Sequence, residues 1–153
     1  GIDERRKVKP NYVSKLLKPD HLSNYLGDAD FVISTIPNTP NTEKIFNYDF
    51  FKKMKKSAFF INIGRGKTTV LNDLVKAIKN KNISGAGLDV FENEPLPTNH
   101  ELWEFENVII TPHIAAYDVP YLDERRYEVI KKNCINFSEG KKLINIVEKS
   151  LWY

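Results

Sequence analysis

Four short runs of apolar and β-branched residues constrain the fold of this chain more than any other feature of its sequence. They occupy residues 31–36, 58–63, 85–90 and 108–110. Within each run the apolar residues are nearly continuous and do not alternate with polar ones, which is typical of strands buried on both faces. We therefore predict a parallel sheet of four strands that is covered on both faces.

Helical patterns fill the segments between these runs. The spacing predicts helices over residues 20–26, 47–56 and 69–80. The third of these has four apolar residues at helical intervals, namely Leu71, Leu74, Val75 and Ile78. Strands that alternate with helices in this order are typical of a doubly wound α/β fold.

A doubly wound fold that binds a dinucleotide needs a glycine-rich turn, where the pyrophosphate meets the amino end of a helix. No G-x-G-x-x-G pattern occurs in the 153 residues. Gly1 and Ile2 read as the end of a second strand, and Asp3 stands where an acid would bond the ribose of a dinucleotide. We therefore expect residues 1–118 to form the later part of a Rossmann domain, with the phosphate-binding turn upstream of Gly1.

The pattern changes after His113. Residues 121–138 are predicted to form one long charged helix that Gly140 ends, and residues 143–147 a short extended segment. The residues of this helix available for packing are Leu122, Tyr127, Ile130, Cys134 and Phe137. We expect residues 119–153 to belong to a substrate domain that is absent from this sequence.

Charge and composition exclude several classes of function. The formal net charge of +3, from 23 basic and 20 acidic residues, is too small and too scattered for a nucleic-acid-binding surface. No apolar run is long enough to span a membrane. Cys134 is the only cysteine, so no intrachain disulfide can form, which suits the reducing cytoplasm. We therefore expect a cytoplasmic protein without nucleic-acid or membrane partners.

Arg65, Glu94 and His113 each follow an apolar run and together supply the chemistry that a 2-oxo acid requires. The planar guanidinium of an arginine can bind a carboxylate through two parallel hydrogen bonds. An imidazole can exchange a proton with a carbonyl oxygen near neutral pH, and a nearby carboxylate holds the ring and favours its charged form. This constellation predicts a site for a small 2-oxo acid without a metal ion.

With these residues the sequence resembles the D-isomer-specific 2-hydroxyacid dehydrogenases, and among them most closely the glyoxylate/hydroxypyruvate reductases. The resemblance rests on stretches in the family's order and spacing: TIPNTPNT at 35–42, NIGRG at 62–66, GAGLDVF at 85–91, EPLP at 94–97, LW at 102–103 and NVIITPH at 107–113. Each stretch is weak by itself, whereas the complete series is specific. The resemblance extends over the whole chain and corresponds to the later part of such an enzyme.

The resemblance implies a role for each of the three residues. Arg65 corresponds to the substrate-binding arginine, His113 to the catalytic acid–base and Glu94 to the partner of that histidine. Glu92 is a neighbouring candidate, but Glu94 precedes Pro95 as the family's motif requires. The implied reaction is the reduction of glyoxylate, hydroxypyruvate or a similar short 2-oxo acid to the D-2-hydroxy acid. A homodimer and a missing N-terminal portion of the same protein are also implied.

The resemblance further implies a nicotinamide cofactor, NAD or NADP. The residues predicted to bind it are Asp3, Arg5, Arg6, Ile36, Pro37, Ile63, Arg65, Asp89, His113 and Ala115. Asp89 corresponds to a residue that contacts the nicotinamide carboxamide. Asp3 would bond the ribose hydroxyl of NAD, whereas Arg5 and Arg6 could accept the 2′-phosphate of NADP, and we favour NAD.

Two alternatives to a working enzyme remain open. Corepressors that sense NAD(H) and bind partner peptides share this fold, and they can retain the arginine, glutamate and histidine. Peptide binding measured against turnover separates the two functions. The other alternative is an inactive fragment, since these residues lack the phosphate cradle and most of a substrate domain.

Overall fold

The computed structural model describes residues 1–117, 119–150 and 152. It divides into two compact units, Gly1–Pro112 and His113–Tyr153. The predicted domain boundary at residue 118 lies outside the described residues. The assignment of residues 119–153 to a substrate domain therefore stays a prediction.

Four parallel strands form the sheet of the first unit, in the spatial order β1–β2–β3–β4. They are β1 (Phe31–Ser34), β2 (Phe59–Asn62), β3 (Gly85–Leu88) and β4 (Val108–Ile110). In this register Ile33 pairs with Ile61, Ile61 with Gly87, and Gly87 with Ile109. The parallel sheet of a Rossmann-like domain is therefore confirmed.

The first three strands end before the predicted positions 36, 63 and 90. Their last residues are Ser34, Asn62 and Leu88. One further backbone hydrogen bond joins the end of β1 to the residue after β2, from Ile63 N–H to the Ser34 carbonyl at 3.0 Å. Another joins the end of β2 to the residue after β3, from Asp89 N–H to the Asn62 carbonyl at 3.0 Å. Beyond these bonds the chain leaves the sheet and forms loops at its carboxyl edge.

Two α-helices connect the strands, α1 (Tyr48–Lys53) between β1 and β2, and α2 (Leu71–Lys79) between β2 and β3. Both are shorter than predicted. The first ends because Met54 adopts an extended conformation. The second begins late because Thr69 forms an isolated parallel bridge with Phe46 and is extended.

The helix predicted over residues 20–26 is instead a 3-10 helix, Pro19–Asn24. Its tighter winding is visible in the bond from Tyr25 N–H to the Leu22 carbonyl at 3.1 Å, which spans three residues. Pro19 suits the first turn, where its missing N–H leaves no bond unmade. Two further 3-10 helices are Gly66–Thr68 and Glu101–Glu104.

One face of the sheet packs against α1 and α2. Phe51 of α1, Phe60 of β2 and Leu74 of α2 are completely buried in this core. The rings of Phe51 and Phe60 meet edge to face with centroids 5.2 Å apart. Burial of one such side chain contributes about 2 kcal/mol to the free energy of unfolding, so these contacts hold the helices to the sheet.

The opposite face of the sheet is exposed in the described residues. Phe31 is 62% exposed, Ile33 58% and Ile109 72%. The prediction that both faces are covered is therefore wrong for this part of the chain. The physical reason is that the α-helices of the first unit, α1 and α2, both pack against the other face.

The second unit contains the helix α3 (Leu122–Ser138). It ends as predicted, because Gly140 adopts a φ of 65°, which glycine tolerates without a steric cost. Four of the predicted packing residues are exposed, namely Tyr127, Ile130, Cys134 and Phe137. Among the described residues no helix combines the length and the apolar character needed to cross a bilayer.

The predicted extended segment at residues 143–147 is wrong. Asn133 accepts a hydrogen bond from Ile144 N–H at 2.8 Å and donates one to the Ile144 carbonyl at 3.0 Å. Asn145 has a φ of 53°, which no strand contains. The Asn133 side chain therefore bonds the two backbone groups of Ile144 that a neighbouring strand would bond in a sheet. The chain bends at Asn145 instead of continuing as a strand.

Candidate functional site

Loops at the carboxyl ends of β1, β2 and β3 form the candidate site. Doubly wound folds bind their ligands outside this edge of the sheet. Ile36 and Pro37 follow β1, Ile63 and Arg65 follow β2, and Asp89 follows β3. The structure therefore brings these predicted residues to one edge of the first unit.

Two glycines allow the loop after β2 to pass close to its neighbours. A Cβ on Gly64 would lie 2.6 Å from the Ile36 carbonyl oxygen, and one on Gly66 would lie 1.8 Å from the Phe91 carbonyl oxygen. Side chains with a Cβ cannot approach backbone so closely, so only glycine fits at both positions. The backbone around Arg65 consequently packs against the loop after β1 on one side and the loop after β3 on the other.

A buried asparagine holds this loop from the sheet side. Asn62 is 0% exposed, and its Oδ1 accepts a hydrogen bond from Gly64 N–H at 3.0 Å. Its Nδ2 lies 3.2 Å from the Arg65 carbonyl, 3.3 Å from Thr68 Oγ1 and 3.0 Å from Thr69 Oγ1. Sequence reasoning missed this residue, although a polar side chain inside an apolar run was a usable signal.

Arg65 is exposed, with an extended backbone at φ −142° and ψ 137°. Its Nη1 donates a hydrogen bond to the Gly64 carbonyl at 2.7 Å. A guanidinium carries five N–H donors, so this bond uses a small part of its capacity. The arrangement can therefore accept a carboxylate in the two-bond geometry typical of arginine.

Two neighbouring glutamates have different roles in the loop after β3. Glu92 accepts a hydrogen bond from Leu71 N–H at 2.8 Å, at the first residue of α2, where a negative charge complements the helix dipole. Glu94 is exposed, and its Oε1 accepts from Phe91 N–H at 3.0 Å. The helix cap accounts for Glu92, which favours Glu94 as the functional carboxylate.

Asp89 is buried at the end of β3, with 3% of its surface exposed. Its Oδ1 accepts a hydrogen bond from Thr111 Oγ1 at 2.6 Å. This bond ties the loop after β3 to the loop after β4 at the carboxyl edge. A contact between Asp89 and a nicotinamide stays a prediction.

His113 begins the second unit, as the third residue after β4. It is exposed and has a φ of 58°, in the left-handed region that residues with a Cβ rarely adopt. Such conformations cluster at functional sites, which favours a role for this histidine. Ala115 lies in the turn that follows. The structure thus holds Arg65 and Glu94 in the first unit, and His113 and Ala115 in the second.

Asp3 lies in a turn with the two predicted arginines. Its Oδ1 accepts hydrogen bonds from the backbone N–H groups of Arg5 and Arg6, both at 2.8 Å. These bonds, that from Arg6 foremost, hold the pKa of the Asp3 carboxyl below its usual value, because they favour the charged form. The turn therefore combines an ionised acid with two cations.

The loop after β1 is fixed by a threonine that sequence reasoning missed. Thr42 Oγ1 donates to the Pro37 carbonyl at 2.7 Å and accepts from Thr39 N–H at 2.8 Å. The threonines of the TIPNTPNT stretch were the available signal. Their bonds hold Ile36 and Pro37, which are half-buried, beside the exposed Ile63.

These residues fit part of a dinucleotide. The loops after β1 and β2 offer an apolar lining, and the close approach at Gly64 keeps them together. The Asp3 turn offers a carboxylate for a ribose hydroxyl. The 153 residues contain no glycine-rich turn for the pyrophosphate. These groups suit the apolar and ribose parts of a dinucleotide, and which of them contact the cofactor stays a prediction.

A cleft of about 430 Å³ lies in the first unit, among residues that follow β1, β2 and β3. It has a lining of mixed charge that includes Glu43, Lys44, Lys67, Glu92 and His100. Neither Arg65 nor Glu94 is among the described residues that line it.

Comparisons with known proteins identify the family of this chain. The sequence model of the D-isomer specific 2-hydroxyacid dehydrogenase, NAD binding domain, matches residues 1–115. A glyoxylate reductase of Pyrococcus horikoshii is 44% identical over 120 residues, which are 78% of this chain and 35% of that protein. A glyoxylate/hydroxypyruvate reductase A of Photorhabdus laumondii is 35% identical over 134 residues, which are 88% of this chain and 42% of that protein. The chain thus spans about two fifths of these relatives or less.

Solved structures show the same correspondence. A probable 2-hydroxyacid dehydrogenase from Rhizobium etli, in complex with NADP, superposes with a TM-score of 0.86 at 32% identity, over 100% of this chain and 48% of that one. An NADPH-dependent glyoxylate/hydroxypyruvate reductase from Sinorhizobium meliloti, also in complex with NADP, gives a TM-score of 0.84 at 29% identity, over 100% and 48%. The likeness to each is one of fold and of sequence together.

Proposed function

Because the chain belongs to the D-isomer specific 2-hydroxyacid dehydrogenase family, we propose that it works within an NAD(P)-dependent reductase of short 2-oxo acids. Glyoxylate or hydroxypyruvate is the expected substrate, and the D-2-hydroxy acid the product. The family match over residues 1–115, which includes the anchored Arg65 loop, is the observation that carries this proposal. The names of the two reductases described above support the choice of substrate.

Arg65 binds the substrate carboxylate in this proposal. Its guanidinium stands at the carboxyl edge of the sheet, in a loop whose position the glycines and Asn62 determine. A two-bond contact between guanidinium and carboxylate fixes the plane of the 2-oxo acid as well as its distance. The carbonyl carbon of the substrate is then held in one orientation for reduction.

His113 protonates the carbonyl oxygen as that oxygen gains negative charge. Glu94 holds the imidazole and favours its charged form, which keeps a proton available for transfer. When bound, the reduced nicotinamide supplies the hydride that the carbonyl carbon accepts. The order of the three residues along the chain and their position after β2, β3 and β4 support these roles.

NAD is the cofactor we favour, with NADP as the alternative. Ionised Asp3 suits a ribose hydroxyl and repels a 2′-phosphate, since the bonds from Arg6 and Arg5 lower its pKa. The side chains of Arg5 and Arg6 in the same turn are the feature that would accept the phosphate of NADP. Kinetics with both reduced cofactors decide between them.

The complete enzyme in this proposal is a polypeptide of the relatives' length that contains residues 1–153. An N-terminal portion of the same protein would supply the phosphate-binding turn and the substrate domain. The uncovered face of the sheet, with Phe31, Ile33 and Ile109 exposed, supports such a portion. We further propose a homodimer, as the family resemblance implies, and a cytoplasmic location, with which a single cysteine is in line.

The intact mass of the purified protein under denaturing conditions is the first test. A mass about twice that of these residues or more is expected, and a screen of glyoxylate and hydroxypyruvate with NADH and NADPH then measures reduction. The proposal fails if the complete enzyme reduces neither acid. Capture of partner peptides without turnover would instead support the corepressor function.

A further inference from the structure

We infer that Asn62 is a positioning residue, whose buried amide fixes the backbone on both sides of Arg65 and thereby aims the guanidinium at the substrate carboxylate. This inference rests on the proposed function, in which Arg65 binds that carboxylate. Asn62 touches no substrate itself, because it is completely buried at the end of β2. Its effect must therefore pass through the Arg65 loop.

The orientation of the Asn62 amide follows from its backbone partners. Gly64 N–H can only donate a hydrogen bond, so it requires the oxygen Oδ1, 3.0 Å away. The Arg65 carbonyl can only accept, so it requires the nitrogen Nδ2, 3.2 Å away. One planar group thus holds a donor before Arg65 and an acceptor after it.

Two threonines complete this network around the same amide. Thr68 Oγ1 donates to the Arg65 carbonyl at 2.6 Å, and it lies 3.3 Å from Nδ2 of Asn62. Thr69 Oγ1 lies 3.0 Å from Nδ2. Both threonines are buried, with exposed fractions of 0% and 1%. The carbonyl of Arg65 is therefore held by the side chains of Asn62 and Thr68 together.

The neighbours of Arg65 explain why such a restraint is needed. Gly64 and Gly66 must be glycines because of their close approach to Ile36 and Phe91. Glycine has the greatest backbone freedom of any residue, so an arginine between two glycines loses orientation unless other groups hold it. A displacement of about 1 Å at a substrate-binding group can cost on the order of 100-fold in rate. Asn62 supplies the missing restraint.

Asn62→Asp and Asn62→Ala in the complete enzyme test this inference. Asn62→Asp keeps the shape but replaces the donor to the Arg65 carbonyl by an oxygen. Both variants are expected to raise KM for glyoxylate, and Kd for the non-reducible analogue oxamate, by about 10- to 100-fold, with a smaller change in kcat and the same pH profile.

Amide hydrogen exchange gives a readout that is independent of activity. Exchange at Gly64 is expected to accelerate by at least about tenfold in Asn62→Ala, because its N–H loses the acceptor Oδ1. In Asn62→Asp an oxygen remains at that position, so exchange at Gly64 is expected to stay slow while KM still rises. Ile83→Val is the matched control, since it weakens the core at the amino end of β3 and leaves the Arg65 loop intact. It should change neither KM nor exchange at Gly64.

The results separate the two proposals. An unchanged KM in folded Asn62→Asp and Asn62→Ala overturns the inference, as does an equal rise of KM in Ile83→Val. If the unaltered complete enzyme reduces no 2-oxo acid, the proposed function fails. In that case exchange at Gly64 alone supports or overturns the ordering of the Arg65 loop by Asn62.

Discussion

At position 65 the shape of the cation matters as well as its charge, since a lysine cannot form the parallel pair of bonds that an arginine forms. Arg65→Lys in the complete enzyme is expected to raise KM for glyoxylate about tenfold, and Arg65→Ala about 100-fold, with kcat less affected. Steady-state kinetics measure both. Lys67→Ala, two residues away and exposed, serves as the control. Unchanged KM in Arg65→Ala would contradict the carboxylate-binding role.

His113→Ala is expected to lower kcat by a factor of about 100 to 10,000, with a smaller effect on KM. The size follows from the contribution of general acid catalysis to proton transfer. His21→Ala is a suitable control, because His21 is an exposed histidine of the 3-10 helix Pro19–Asn24. Equal kcat in His113→Ala and in the unaltered enzyme would exclude the acid–base role.

The Asp3 carboxyl is expected to titrate below the usual range of an aspartate. Its lowered pKa means that the bonds from Arg6 and Arg5 stabilise the folded turn above the unfolded pKa, and that this contribution disappears as the pH falls through the folded pKa. Asp3→Asn should remove this pH dependence. Titration of the Arg5 and Arg6 amide resonances measures the pKa of Asp3. A midpoint at or above the usual value of an aspartate would refute the stabilising role of the bonds from Arg5 and Arg6.

Between elements, the contact of Gly66 with the loop after β3 is the least tolerant of change. Gly66→Ala would place a Cβ 1.8 Å from the Phe91 carbonyl oxygen, and Phe91 N–H donates to Glu94. We expect a loss of about 2 kcal/mol or more in the free energy of unfolding, measured by urea denaturation, and a reduced kcat.

Gly87→Ala is the matched control for this substitution. A Cβ there would meet the Ile61 side chain at 3.7 Å, which is an ordinary contact. Its effect on the free energy of unfolding should stay below about 1 kcal/mol. Similar losses in the two variants would mean that close approach to Phe91 is not the cause.

Local sequence patterns predicted the four strands and the α-helices but not the tertiary contacts that shorten them. β4 ends and begins as predicted, because its apolar run is bounded by the turn before it and by Pro112. α2 starts late because Thr69 pairs with Phe46, a contact 23 residues distant that no local pattern contains. Arg65 was found through the family's motif, whereas Asn62 was missed because its role depends on burial and on its backbone partners.

For the whole molecule, a polypeptide restricted to residues 1–153 is expected to show no measurable hydride transfer. The sequence contains no glycine-rich turn for the pyrophosphate, so binding of a dinucleotide would lose its phosphate contacts. The absorbance of NADH in the presence of glyoxylate measures this, with the complete enzyme at equal concentration as the control. Robust turnover by a fragment of verified mass would contradict the prediction.

The exposed face of the sheet also bears on how such a polypeptide would behave in a cell or a test tube. Phe31 and Ile33 on β1, and Ile109 on β4, place exposed apolar side chains at both edges of this face. Exposed apolar surfaces of this kind associate with one another and are bound by chaperones. An isolated copy of these residues is therefore expected to aggregate before its activity could be assayed. Co-expression with the portion of the protein that covers this face would prevent this aggregation.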